Sequence, residues 1–241
     1  IGLLTPMAAA PEDPGVVCGS HNYNAAGFGP GPYPGEIGRE RWDRNRQEEV
    51  FCQHEGTQYA ERHQVPLWVG EFGSVYNGPA EEFADRMRAM DDQLAVFNAH
   101  GAHWTTWTYK DAGVMGWVHL HSECDYLQRL GPVLAAKRAL DIDFWIEWSP
   151  DTPAKALVAE LSRLICAAIP DPDLDWRVNN TYLRQASLAN YVGELMQPAY
   201  ARCFAGLSEA ALDRVLQSFR LENCMVRQDL VQVVGRHLQP A

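Results

Sequence analysis

The sequence predicts an α/β fold built from parallel strands and intervening helices. Three runs carry that expectation. Pro66-Leu67-Trp68-Val69-Gly70-Glu71-Phe72-Gly73 is a short apolar run that ends in a carboxylate followed at once by Phe-Gly. Val16-Val17-Cys18-Gly19-Ser20-His21-Asn22-Tyr23 lies upstream, and Ala102-His103-Trp104-Thr105-Thr106-Trp107-Thr108-Tyr109-Lys110 lies downstream. Each reads as a buried strand ending in polar or aromatic groups, and helix-sized gaps separate them. That alternation is the pattern of a βα barrel, in which the C-terminal ends of the strands hold the working side chains.

In the first run the strand period of two places His21 and Tyr23 on the same side. Residues 24–38 (NAAGFGPGPYPGEIG) form a Gly/Pro-rich loop whose spacing fits no phosphate-binding motif. Phe28 and Tyr33 in it are candidate ligand-stacking faces or plain structural aromatics. A helix is expected over about residues 40–63, and Pro66 suits the first position of the next strand.

The next helix is the clearest in the chain. Pro79 suits its first turn and Glu81 and Glu82 its positive end. Phe83, Met87, Met90, Leu94 and Phe97 recur at four, three, four and three, forming one apolar stripe for packing on the sheet. Gly101 marks its stop. After the third run, residues 110–117 read as a cleft loop, and residues 126–140 as a further helix.

Residues 150–241 are expected to be a mostly helical extension packed on the barrel portion, residues 1–149. Leu157, Leu161, Leu164, Ile165 and Ala168 form one stripe, Ser208 can N-cap a helix, and a last helix covers about 226–238.

The motifs at the three strand ends resemble glycoside hydrolase family 5, the cellulase and mannanase family of (β/α)8 barrels. His21-x-Tyr23 matches its sixth-strand signature, Val69-Gly70-Glu71-Phe72-Gly73 its seventh-strand nucleophile motif, and Trp107 the end of its eighth strand. The resemblance covers residues 14–145. It implies that Glu71 is the nucleophile of a retaining glycosidase. It also implies that Tyr23 hydrogen-bonds Glu71, that His21 lines the site, and that Trp107 stacks on the sugar. Trp104 competes with Trp107 for that role, because the strand register is open. Lys110 is a candidate for a sugar hydroxyl, or a solvated lysine. The implied substrate is a β-linked hexose poly- or oligosaccharide, and the reaction requires no metal or organic cofactor.

A retaining glycosidase needs two carboxyl groups about 5–5.5 Å apart. The family carries the second in an Asn-Glu-Pro motif on its fourth strand, and this sequence contains neither Asn-Glu nor Glu-Pro. Glu36, Asp111, Glu123 and Asp125 are alternatives without a supporting motif. The chain is therefore expected to be the C-terminal portion of a longer enzyme, inactive alone. The rival expectation is a carbohydrate-binding remnant or pseudoenzyme without turnover.

Composition sets further bounds. The formal net charge of −11 argues against nucleic acid. No apolar run approaches the roughly 20 residues of a membrane span. A monomer is expected. Cys18, Cys52, Cys124, Cys166, Cys203 and Cys224 are dispersed with no Cys-x-x-Cys, which fits neither a zinc site nor a small disulfide framework. His100 with His103, and His119 with His121, have metal-compatible spacings but lack a supporting motif.

Overall fold

The computed structural model describes residues 13–29, 31–37, 40–76, 78, 80–140, 142, 152–171, 174, 180 and 183–238. Pro79 and the expected boundary at 149/150 lie outside them. Two compact units emerge, one of residues 1–119 and 225–241, the other of residues 120–224.

The first unit centres on a parallel sheet of β1 (Cys18–His21), β4 (Leu67–Glu71) and β5 (His103–Trp104), in the order β1-β4-β5. Helices α2 (Arg44–Gln53) and α3 (Glu55–His63) connect β1 to β4, and α4 (Phe83–Ala99) connects β4 to β5. This is an α/β arrangement of βα units. Cys18 pairs with Leu67 and Ser20 with Val69, and the register then shifts so that His21 faces Glu71. Trp68 pairs with His103 and Val69 with Trp104.

One sheet face is closed by the helices. Cys18, Leu67, Val69 and Phe72 share a core with Phe51, Tyr59, Met90, Leu94 and Phe97. Each fully buried Leu or Phe of this set contributes about 1.5–3 kcal/mol. Three residues of the expected α4 stripe, Met90, Leu94 and Phe97, are buried in this core, and Met87 packs against it. A second face of the same helix is also buried and carries Arg86, Ala89 and Gln93. Gly101 follows α4 at φ +65°, the left-handed stop its residue type favours. The opposite sheet face is open: Val17, Gly19, Trp68 and His103 are exposed, Trp68 at 45%.

The expected helix over 40–63 is interrupted. Glu40–Trp42 forms β3, pairing antiparallel with β2 (Gly35–Ile37), and α2 and α3 are separated at His54. His54 adopts extended backbone (ψ 133°), and its side chain accepts the Gly56 N–H to cap α3. The short helix α1 (Ala25–Phe28) begins the Gly/Pro-rich loop.

The expected strand over 102–110 is shorter than its composition suggests. Regular pairing ends at Trp104, while single bonds from Thr105 N–H to Val69 O and from Trp107 N–H to Phe72 O continue alongside β4. Lys110–Asp111 then forms β6, parallel to β7 (Val118–Leu120), and β8 (Cys224–Val226) completes that second small sheet.

In the second unit, α5 (Asp125–Ala139) packs against α7 (Ala189–Arg202) and α8 (Glu209–Leu216). Ser208 caps α8 by accepting the Ala211 N–H, as its residue type predicts. Helix α6 (Pro153–Ala168) exposes Leu157, Leu161 and Leu164 among the described residues. The six cysteines are free thiols. Among the described residues, no helix is long and apolar enough to cross a membrane.

The last helix, α9 (Gln228–His237), belongs to the first unit. Leu230, Val233 and Val234 enter the core that contains α4. Asp91 on α4 receives Arg236 Nη2 at 3.0 Å and His237 Nε2 at 2.7 Å. Partial burial pushes the Asp91 carboxyl up, but these two partners outweigh it and hold it below the usual range. A depressed folded-state pKa stabilises the fold above the unfolded value of about 3.9 and loses that contribution as pH falls through the folded value. Asp91→Asn is expected to lower unfolding free energy at pH 7 by about 1 kcal/mol or less. In urea titrations the gap from wild type should then close below about pH 4. A gap that stays constant down to pH 2 contradicts the assignment.

Candidate active site

Glu71 is the last residue of β4, the central strand of the parallel sheet. Its backbone is held on both sides. The Asn22 N–H donates to the Glu71 carbonyl at 2.9 Å, and the Thr105 hydroxyl donates to the Gly70 carbonyl at 2.7 Å. The carboxylate meets both residues of the His21-x-Tyr23 pair. The Tyr23 hydroxyl donates to Glu71 Oε2 at 3.0 Å, and His21 Nδ1 lies 3.4 Å from the same oxygen. Among the described residues, Oε1 carries no hydrogen bond.

The Glu71 side chain is 31% exposed and that of His21 51%. The carboxylate is therefore reachable while its orientation is set by neighbours. Burial, the hydrogen bond to Glu71 and the nearby carboxylate charge all push the Tyr23 phenol up, so it stays protonated and able to donate. Phe28 meets the Tyr23 ring edge-on at 5.4 Å, bracing the donor.

The two tryptophans separate. Trp104 faces the helix layer: its indole N–H donates to Asn98 Oδ1 at 2.9 Å and its ring lies edge-on to buried Phe72. Trp107 is 45% exposed and is tied to the strand bearing Glu71 through its N–H to Phe72 O at 2.8 Å. The Trp107–Thr108 peptide is cis. Lys110 lies in β6 in register with Val118. Tyr33 is not brought to the site. It is 1% exposed in a core with Ile37, Trp42 and Ala89, its hydroxyl donating to Asp92 and accepting from Gln47, so neither ring face is open to a sugar.

The other carboxylates have separate surroundings. Asp111 accepts backbone N–H groups from Gly113, Val114, Met115 and Gly116 and organises that loop. Glu36 lies opposite Arg41 in the β2–β3 hairpin, and Glu123 and Asp125 lie in the second unit. His100 contacts Glu48 at 2.8 Å, and His121 accepts the Glu123 N–H. Among the described residues, no cluster of three or more His, Cys, Asp or Glu side chains is placed to hold a metal ion.

Several supporting residues carry no motif signal. Arg86 donates to the carbonyls of Ala26 and Gly29, clamping the loop that carries Phe28. Arg227 donates to the carbonyls of Gly113 and Gly116 and lies over the Tyr76 ring, fixing the loop that Asp111 organises. Gln93 holds Asn22, between His21 and Tyr23. Polar residues in helices usually face solvent, so only the i, i+3, i+7 spacing of Arg86, Ala89 and Gln93 hints at a second buried face.

Comparison with known proteins adds a relationship. No family model matches the chain. The chain is 29% identical over 230 residues to a β-xylosidase of Phanerodontia chrysosporium, a match covering 89% of this chain and 46% of that protein. The chain resembles a glycoside hydrolase. It spans about half the length of that relative. The matched share is too large to exclude all of residues 150–241, so part of the helical region is common to both. An endoglucanase structure shares 17% identity with a TM-score of 0.33, over 41% of this chain and 33% of that one.

The site depends on close backbone approach. A Cβ on Gly73 would meet the Trp107 carbonyl at 2.7 Å and Met115 Cε at 2.9 Å. Gly73→Ala is expected to destabilise the protein by about 1–3 kcal/mol, read by thermal unfolding, and to raise the accessibility of Trp107 to acrylamide quenching. Wild-type stability and quenching would show that the three segments are not in contact.

Proposed function

We propose that this chain carries the nucleophile portion of a retaining glycoside hydrolase acting on β-linked sugars. The observation that carries the reading is the Glu71 carboxylate at the C-terminal end of a central parallel strand, with Tyr23 and His21 on one oxygen. In this reading Oε1 attacks the anomeric carbon, and the bond from that carbon to the leaving oxygen breaks through an oxocarbenium-like transition state. A glycosyl ester forms on Glu71. The leaving oxygen takes a proton from a second carboxylic acid, which we assign to a preceding βα unit of a longer chain. Water activated by that same group then hydrolyses the ester.

Tyr23 donates to Oε2 and leaves Oε1, the attacking oxygen, unencumbered among the described residues. Trp107 offers an exposed indole face suited to the apolar face of a sugar ring. Trp104, packed against Phe72, is left to structure. The family 5 assignment and the (β/α)8 barrel belong to the same proposal. The open sheet face supports it, because parallel sheets are covered on both sides. Val17, Trp68 and His103 on that face, and the edges of β1 and β5 that pair with no strand among the described residues, are where further βα units would close. The hexose expectation came from the family resemblance. The similarity to a protein named β-xylosidase adds β-xylosides to the candidate substrates.

The test uses the longest natural version of the protein and dinitrophenyl 2-deoxy-2-fluoro-β-glycosides of glucose, cellobiose, mannose and xylose. Peptide mass spectrometry is expected to find one sugar adduct, on the peptide containing Glu71, and to identify the accepted sugar. Glu71→Ala should remove both the adduct and hydrolysis, a loss of several orders of magnitude. Near-normal hydrolysis by Glu71→Ala, or a folded protein labelled by none of the four reagents, overturns the nucleophile assignment.

A further inference from the structure

We infer that Gln93 of α4 is a positioning residue for the Glu71 site, acting through Asn22. The importance of this for catalysis rests on the glycosidase reading; the positioning itself does not. Regular pairing between β1 and β4 breaks down after Ser20, just where His21 and Tyr23 must be aimed. At such an irregularity the backbone loses the ladder that normally sets its direction. The Asn22 N–H still donates to the Glu71 carbonyl. Gln93 Nε2 supplies further restraint, donating to the Asn22 carbonyl at 2.9 Å and to Asn22 Oδ1 at 3.0 Å.

One amide nitrogen thus holds both the main chain and the side chain of Asn22. Asn22 and Gln93 are each about 95% buried, where such bonds are strong and an unpaired group is costly. The residues on either side of Asn22 are those whose side chains reach Glu71 Oε2. With Asn22 fixed at three points, little beyond side-chain torsion remains to vary the direction of Tyr23. An apolar residue at position 93 would continue the α4 packing without burying an amide. The amide is explained by orientation of the 21–23 segment.

A residue that merely fills a buried hydrogen bond would change stability alone. The distinguishing readout is the 13Cζ resonance of Tyr23 in tyrosine-labelled protein, assigned with Tyr23→Phe. Glu71→Ala supplies the reference for a phenol without its acceptor. In folded Gln93→Met the resonance is expected to move at least halfway from its wild-type position to that reference. Gln93→Asn keeps the amide but is one methylene shorter, and serves where Gln93→Met does not fold; the same direction is expected. A wild-type Tyr23 resonance in either folded variant, whatever the change in melting temperature, overturns the proposal.

The catalytic consequence is measured separately as the rate of Glu71 labelling by the fluoroglycoside that wild type accepts. The maximal rate should fall about tenfold or more with little change in half-saturation. If wild type is labelled by none of the reagents, the glycosidase reading fails, and the Tyr23 resonance still decides whether Gln93 positions the segment.

Discussion

The arrangement around Glu71 depends on one backbone hydrogen bond, from the Asn22 N–H to the Glu71 carbonyl. It ties β1 to β4 beyond the point where regular pairing stops. Without it, His21 and Tyr23 would sit at the end of a frayed strand, and neither side chain would have reason to converge on Oε2. The sheet order β1-β4-β5 gives the strand that ends in Glu71 a neighbouring strand on each side. The close approach of Gly27 to the Gly73 carbonyl, and of Gly73 to the Trp107 carbonyl, then packs the segments past the strand ends against one another.

Helix α4 links that arrangement to the core. Its apolar stripe holds the covered face of the sheet, while Arg86 and Gln93 reach the segments that follow β1. One helix therefore fixes both the height of the sheet and the path of the chain leaving it. Arg86 is almost wholly buried, and its charge is matched by Glu82, just before the first residue of α4, and by two carbonyls. Such a side chain is costly to bury alone and stable only with its partners in place, which makes the loop geometry and the helix position mutually dependent.

The legible parts of the sequence were those with a strong local period. Within the run 66–73, β4 takes Leu67–Glu71 and ends on the carboxylate, and the period-two relation of His21 and Tyr23 survives as two contacts on one oxygen. The choice between Trp104 and Trp107 needed the register, since both belong to one aromatic run. Tyr33 misled for a different reason. A tyrosine in a Gly/Pro-rich loop looks available, yet Gln47 and Asp92, both distant in sequence, draw its hydroxyl inward. Gln93 was hard to see because a polar residue in a helix usually faces solvent, and only its spacing from Arg86 and Ala89 hints otherwise. The strands β2, β3, β7 and β8 are three residues each, too short for alternation to register. The return of residues 225–238 to the first unit is likewise a tertiary event that no local pattern encodes.

That return makes the first unit discontinuous along the chain. Leu230, Val233 and Val234 are needed to finish a core whose other members lie before residue 103. On the ribosome, the strand bearing Glu71 is synthesised long before the helix that seals its underlying layer. The whole second unit must emerge in between. Until then α4 presents an apolar surface, and exposure of this kind invites aggregation. Helix α9 thus completes a core whose other buried members are synthesised more than a hundred residues before it.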